Sequence, residues 1–134
     1  MWTVIAAIAV SGLLGVLTDW LFMGLLFHEA YNIHPEIWRP GTREGEHGAI
    51  LWSSALGLVM SAGVVALVAV TGAGTPLGGV GVGVLAWLSG PFVVIVVNGL
   101  FVKIDTKITV AHCLGYLARM AVAGAVAGSI LPLA

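Results

Sequence analysis

Polar and apolar residues in this chain segregate into long blocks. Four apolar blocks, at about residues 2–27, 49–71, 77–102 and 108–131, separate short polar stretches. A helix needs about 20 residues, at ~1.5 Å each, to cross the hydrocarbon of a bilayer, and each block is long enough. No block alternates apolar and polar residues as a barrel strand would. Hydrocarbon offers no partners to an open backbone, so the blocks are expected to be helices. The expected fold is an all-α integral membrane protein, with four transmembrane helices in a compact bundle. It forms a single domain over residues 1–134, with one long polar loop at residues 28–48.

Composition narrows the class further. Hydrophobic residues make up 60% of the chain and charged ones 8%, too few charges to cover a soluble surface. Mean hydropathy is +1.10. A net charge of -1 offers no basic face for nucleic acid. The single cysteine, Cys113, excludes a disulfide within the chain. The opening Met1-Trp2-Thr3-Val4-Ile5 lacks a positive leader, and the first apolar run exceeds a signal-peptide core, so it is expected to stay as an anchor.

Small residues and breakers give the spans their faces. Gly12, Gly15 and Asp19 share one side of the first span. Ser53, Gly57 and Ser61 form a small-xxx-small run on the second, and such runs let helices approach closely. The third span begins with Gly78, Gly79, Gly81 and Gly83 and holds Pro91, where a kink is expected. Asn98 follows seven residues on, on roughly the same face. The last span has two faces. One carries His112, Gly115 and Arg119, and the other carries Leu117, Ala121, Gly124 and Gly128. That second face suits packing within the bundle or against another copy. Four short spans enclose little, so a homo-oligomer is expected.

Arg39, Arg43, Lys103 and Lys107 all fall in the first and third links, and none falls at the termini or in the second link. The positive-inside rule then places those two links in the cytoplasm and both termini on the non-cytoplasmic side. The location expected is a multi-pass place in the cytoplasmic (inner) membrane.

Two full charges lie inside apolar runs, Asp19 and Arg119. A charge at such depth must face a partner or a polar cavity. Asp19 lies eight residues before Phe27, about 12 Å in, and Arg119 eleven residues after Ile108, about 16 Å in from the same edge. An extended arginine covers the difference. Asn98 and His112 come out at similar depth. The expected polar pocket is Asp19, Asn98, His112 and Arg119, with Asp105 at its mouth. It serves either as a helix-register device or as part of a path or ligand site.

The long link carries His28, Glu29, His34 and Trp38. His28 and His34 are six residues apart, a poor spacing for one helix face, and the zinc-protease pattern is absent, so no metal site is expected. These residues are read as interfacial, with Trp38, Tyr31 and Trp52 suited to the headgroup layer. Cys113 reads as a small packed residue rather than a nucleophile. Gly78–Gly83 lack the Lys-Ser/Thr of a phosphate loop, and no motif implies a cofactor.

Three stretches carry a resemblance: Asp19-Trp20-Leu21-Phe22-Met23-Gly24-Leu25-Leu26-Phe27, Gly83-Val84-Leu85-Ala86-Trp87-Leu88, and Ala111-His112-Cys113-Leu114-Gly115-Tyr116 with its small-residue tail to Leu131. In these the chain resembles a bacterial family of four-helix membrane proteins known as domain of unknown function seventeen sixty-one. The resemblance implies four spans and no particular activity. The leading expectation is transport or permeation of a small solute or ion through the polar pocket. The alternatives are a membrane enzyme, with His28, Glu29 and His112 acting on a lipid or quinone-like substrate, and an accessory subunit docking through residues 28–47. The bilayer is the expected partner, and a lipid or small molecule is the candidate ligand.

Overall fold

The computed structural model describes residues 1–33 and 46–131. Its helices are α1 (Trp2–Asp19), α2 (His28–Ile33), α3 (Glu46–Thr71), α4 (Pro76–Trp87), α5 (Val93–Phe101) and α6 (Thr106–Ile130). A π-helical segment, Trp20–Leu26, extends α1, and a second, Leu88–Phe92, joins α4 to α5. The result is four helices long and apolar enough to cross a membrane: Trp2–Leu26, His47–Thr71, Pro76–Phe101 and Thr106–Ile130. Among the described residues no strand occurs. The chain is a multi-pass, all-α membrane protein.

Local chemistry sets the ends. Gly72, at φ 66°, closes α3, and the Ala73 amide reaches back to the Val68 carbonyl at 3.3 Å, a Schellman stop. Thr75 caps α4 by accepting the Gly78 amide at 3.1 Å, with Pro76 in the first turn, where its missing N–H costs nothing. Asp105 caps α6 by accepting the Lys107 amide at 2.7 Å. The expected kink at Pro91 takes the form of the second π segment. Proline lacks the donor that an α-turn requires, and the wider turn absorbs the loss.

The spans run up and down, and α6 is the common neighbour, packed against α1, α3, α4 and α5. Its closest partner is α4, which runs antiparallel to it. A methyl added at Gly79 would strike the Gly124 carbonyl, one at Gly83 the Met120 carbonyl, and one at Gly128 the Thr75 carbonyl. Backbones touch there because no side chain intervenes, which is how helices associate where lipid removes the hydrophobic drive. Gly124 and Gly128 therefore belong to an internal contact, so that part of the last span's second face packs within the bundle. The Trp87 indole donates to the Cys113 carbonyl at 3.0 Å and pins the same pair of helices near the second π segment.

The two ends of the bundle differ. At the end bearing the start of α1 and the close of α6, Ala7, Val64, Val65, Val68, Met120, Ala123, Ala127 and Leu131 form a dry core. Toward the other end, where α2 and the α5–α6 turn lie, the interior becomes polar.

Candidate functional site

Arg119 sits where α1, α3 and α6 meet. Its side chain is 2% exposed, the largest fully buried one among the described residues. Two glycines make room for it. A methyl on Gly57 of α3 would overlap Nη2, and one on Gly15 of α1 would come within 2.9 Å of the guanidinium. The slot therefore exists because neither wall carries a side chain. Nη1 donates to Asp19 Oδ2, and more weakly to the Gly15 carbonyl at 3.4 Å. That carbonyl also accepts from Thr18 Oγ1 at 2.8 Å. Nε and Nη2 have no hydrogen-bond partner among the described residues. Arginine keeps its charge under any ordinary condition, so this is a fixed cation only partly neutralised. Asp19 keeps 32% of its side chain exposed and forms the open side of the slot.

From Asp19 the polar character continues toward the loop end through aromatic rings. Tyr116 lies one turn before Arg119 on α6 and close enough to interact electrostatically with both members of the pair. The His112 ring stacks on Tyr116, with centroids 6.3 Å apart, and meets the edge of Tyr31 at 5.9 Å. Tyr31 comes from α2. The first π segment ends at Phe27, whose φ of -118° and ψ of 13° leave the helical path. The Ala30 amide then bonds the Phe27 carbonyl at 3.0 Å, and the short helix turns its tyrosine onto α6. Burial, and secondarily the nearby Tyr116, push the Tyr31 phenol up to about 12. The string Tyr31–His112–Tyr116–Asp19–Arg119 thus leads from the rim to mid-span and stops at the dry core.

The chain matches the family described as "Protein of unknown function (DUF1761)" over residues 6–128. It belongs to that family. Every residue of the string lies within the matched span. Neither a curated protein nor a solved structure matches the chain.

The four residues read from sequence as one pocket separate into two places in this family member. Asp19 and Arg119 are paired, with His112 within electrostatic reach of Asp19. Asn98 stands apart. It is exposed on α5 and lines a half-open cleft of about 190 Å³ with Ile95, Ile104, Ile108, Thr109 and His112. Depth places Asn98 level with His112, and the two share this cleft, but depth does not fix the direction in which a side chain faces. Asp105 is used as a helix cap. His28 and Glu29 are exposed on α2, and His34 and Trp38 lie outside the described residues. Among the described residues no three His, Cys, Asp or Glu side chains converge as metal ligands. Sequence reasoning missed Tyr31 and Tyr116 as members of the string. The spacing of His112, Tyr116 and Arg119, at i, i+4 and i+7, places Tyr116 on that face. No spacing rule could have supplied Tyr31.

Proposed function

We propose that this protein moves a small solute or ion across a bacterial cytoplasmic membrane, using the Asp19–Arg119 slot as its selective point. The observation that carries the reading is Arg119, a buried, permanently charged group in mid-span with two donor nitrogens unpaired among the described residues. Intramembrane ionisable groups of this kind mark substrate and ion paths. The string from Tyr31 to Asp19 supplies the approach from the loop end. Val64, Val65, Val68 and Met120 close the other end, so passage requires the dry core to part. In this reading Lys103 and Lys107 face the cytoplasm, and both termini lie outside. More than one copy shares the path, since one bundle encloses little more than the slot. Flux from vesicles holding single copies, identified by stepwise photobleaching, would remove that last element.

The test is flux in proteoliposomes with purified full-length chain. Asp19→Asn and Arg119→Leu are each expected to abolish uptake while circular dichroism still reports a helical bundle. Full flux in both folded variants would sink the proposal.

A further inference from the structure

The cleft between α5 and α6 has no part in the slot, and neither Asp19 nor Arg119 lines it. Its position is defined by helical rise. Asn98 lies three residues and Ile95 six before the end of α5, while Ile108 lies two and His112 six residues after the start of α6. At ~1.5 Å per residue the cleft spans roughly the outer 9 Å of the bundle, the level of lipid glycerol, esters and upper acyl chain. Its walls combine Ile95, Ile104 and Ile108 with Asn98, Thr109 and His112. At about 190 Å³ it is smaller than the roughly 300–1,000 Å³ that encloses a drug-sized ligand. It therefore suits one segment of a larger molecule whose remainder lies along the protein surface.

The surroundings name that molecule. Val94, Val97 and Phe101, on the same side of α5 as Asn98, are 58%, 44% and 85% exposed, a face for acyl chains. An exposed amide on such a face needs acceptors that hydrocarbon cannot supply. Two cations neighbour the lining in sequence: Lys103 and Lys107 are exposed, and each immediately precedes a lining residue, Ile104 and Ile108. Between them the Asp105 carboxylate is turned to the Lys107 amide. The α5–α6 contact is close, since a methyl on Gly99 would come within 3.0 Å of Thr109 Oγ1. That approach brings the Asn98 turn against the first turn of α6.

We infer that this cleft binds one anionic phospholipid. Its phosphate lies between Lys103 and Lys107, its ester region reaches Asn98 and Thr109, and an acyl chain lies along the isoleucines and down Val94. The apolar walls select an acylated ligand over a free phosphate, and the lysines select an anionic headgroup over a zwitterionic one. The inference does not rest on the transport reading: only His112 is common to the cleft and the string, and lipid binding is an equilibrium property measured without flux.

The test is native mass spectrometry of the full chain in detergent, titrated with phosphatidylglycerol or phosphatidylcholine. One phosphatidylglycerol per chain is expected to survive in preference to phosphatidylcholine. The Lys103→Gln/Lys107→Gln double variant is expected to lose roughly tenfold or more in that affinity, the scale two basic side chains contribute at an anionic surface. Asn98→Leu should weaken binding of both lipids, and glycerol phosphate at the same concentration should not displace the bound lipid. Equal retention of the two lipids, an unchanged affinity in the double variant, or complete displacement by glycerol phosphate would each overturn the proposal.

Discussion

At the scale of single residues, the bundle is organised by a buried cation that donates, among the described residues, to one carboxylate and more weakly to one carbonyl. Removing one member of a buried pair leaves the other uncompensated, which typically costs about 3–5 kcal/mol. Asp19 keeps about a third of its side chain exposed, so Asp19→Asn should cost less, roughly 2–3 kcal/mol. Arg119→Leu is the milder change, because it leaves the more exposed partner behind. Combining Arg119→Leu with Asp19→Leu is expected to recover most of the stability without any flux, because apolar replacement of both partners avoids desolvating charge. Chemical unfolding of the unaltered protein, Asp19→Leu, Arg119→Leu and the double variant in mixed micelles, run as a cycle, measures the coupling.

A second prediction at this scale concerns alkali. The Tyr31 phenol titrates near 12 in the folded protein, against the ordinary 10 once unfolded. The folded state therefore holds this proton more tightly. The resulting stability is fully present below pH 10 and is lost as pH rises from about 10 to 12. Tyr31→Phe should flatten that part of the stability profile and remove a late step from the ultraviolet titration of the tyrosines.

At the scale of elements, the α4–α6 contact is the most sensitive to added volume. At Gly57 the obstructing group is the end of a flexible side chain, whereas at Gly83 it is the Met120 backbone carbonyl, which cannot rotate away. Gly83→Ala is thus expected to destabilise by about 1–3 kcal/mol through overpacking. Gly81→Ala, on the same helix with open space beside it, should be close to neutral. Thermal unfolding of the two variants side by side reads the difference.

The elements also show where sequence is informative. The four spans are legible because length and hydropathy suffice to mark them. The Asp19–Arg119 pair is legible because charges are so rare in apolar runs that depth alone matches them. The two π segments are not legible. Widening a turn needs one residue more per hydrogen-bonded loop and leaves composition unchanged, and at Trp20–Leu26 no proline marks the place. Asn98 is grouped with Asp19 and Arg119 by depth, which leaves the direction of its side chain open. The contact of Tyr31 with His112 escapes because it depends on the turn at Phe27, which no periodicity encodes.

At the scale of the whole molecule, one end is dry and the other polar, and the basic residues of the third link lie at the polar end. The third span has the fewest fully buried residues of the four, and its exposed side chains, Leu77, Leu85, Val94 and Phe101 among them, are left for lipid or another chain. Orientation is checked by reporter fusions. Alkaline phosphatase fused after Ala134 is expected to be active in a bacterial host, and a fluorescent protein that matures only in the cytoplasm is expected to stay dark there. Exchanging Lys103 and Lys107 for Gln while adding lysines before Trp2 should shift the population toward the opposite signals.

The helix that every other span leans on is also the last of the four to be synthesised. Until Arg119 emerges from the ribosome, three spans wait in the bilayer with a lone acid at Asp19 and an unfilled groove between Gly15 and Gly57. Assembly is thereby tied to the arrival of the fourth span. The pair that holds the bundle together therefore also sets the order in which it forms: α1 and α3 gain the side chain that fills their groove only when α6 is in place.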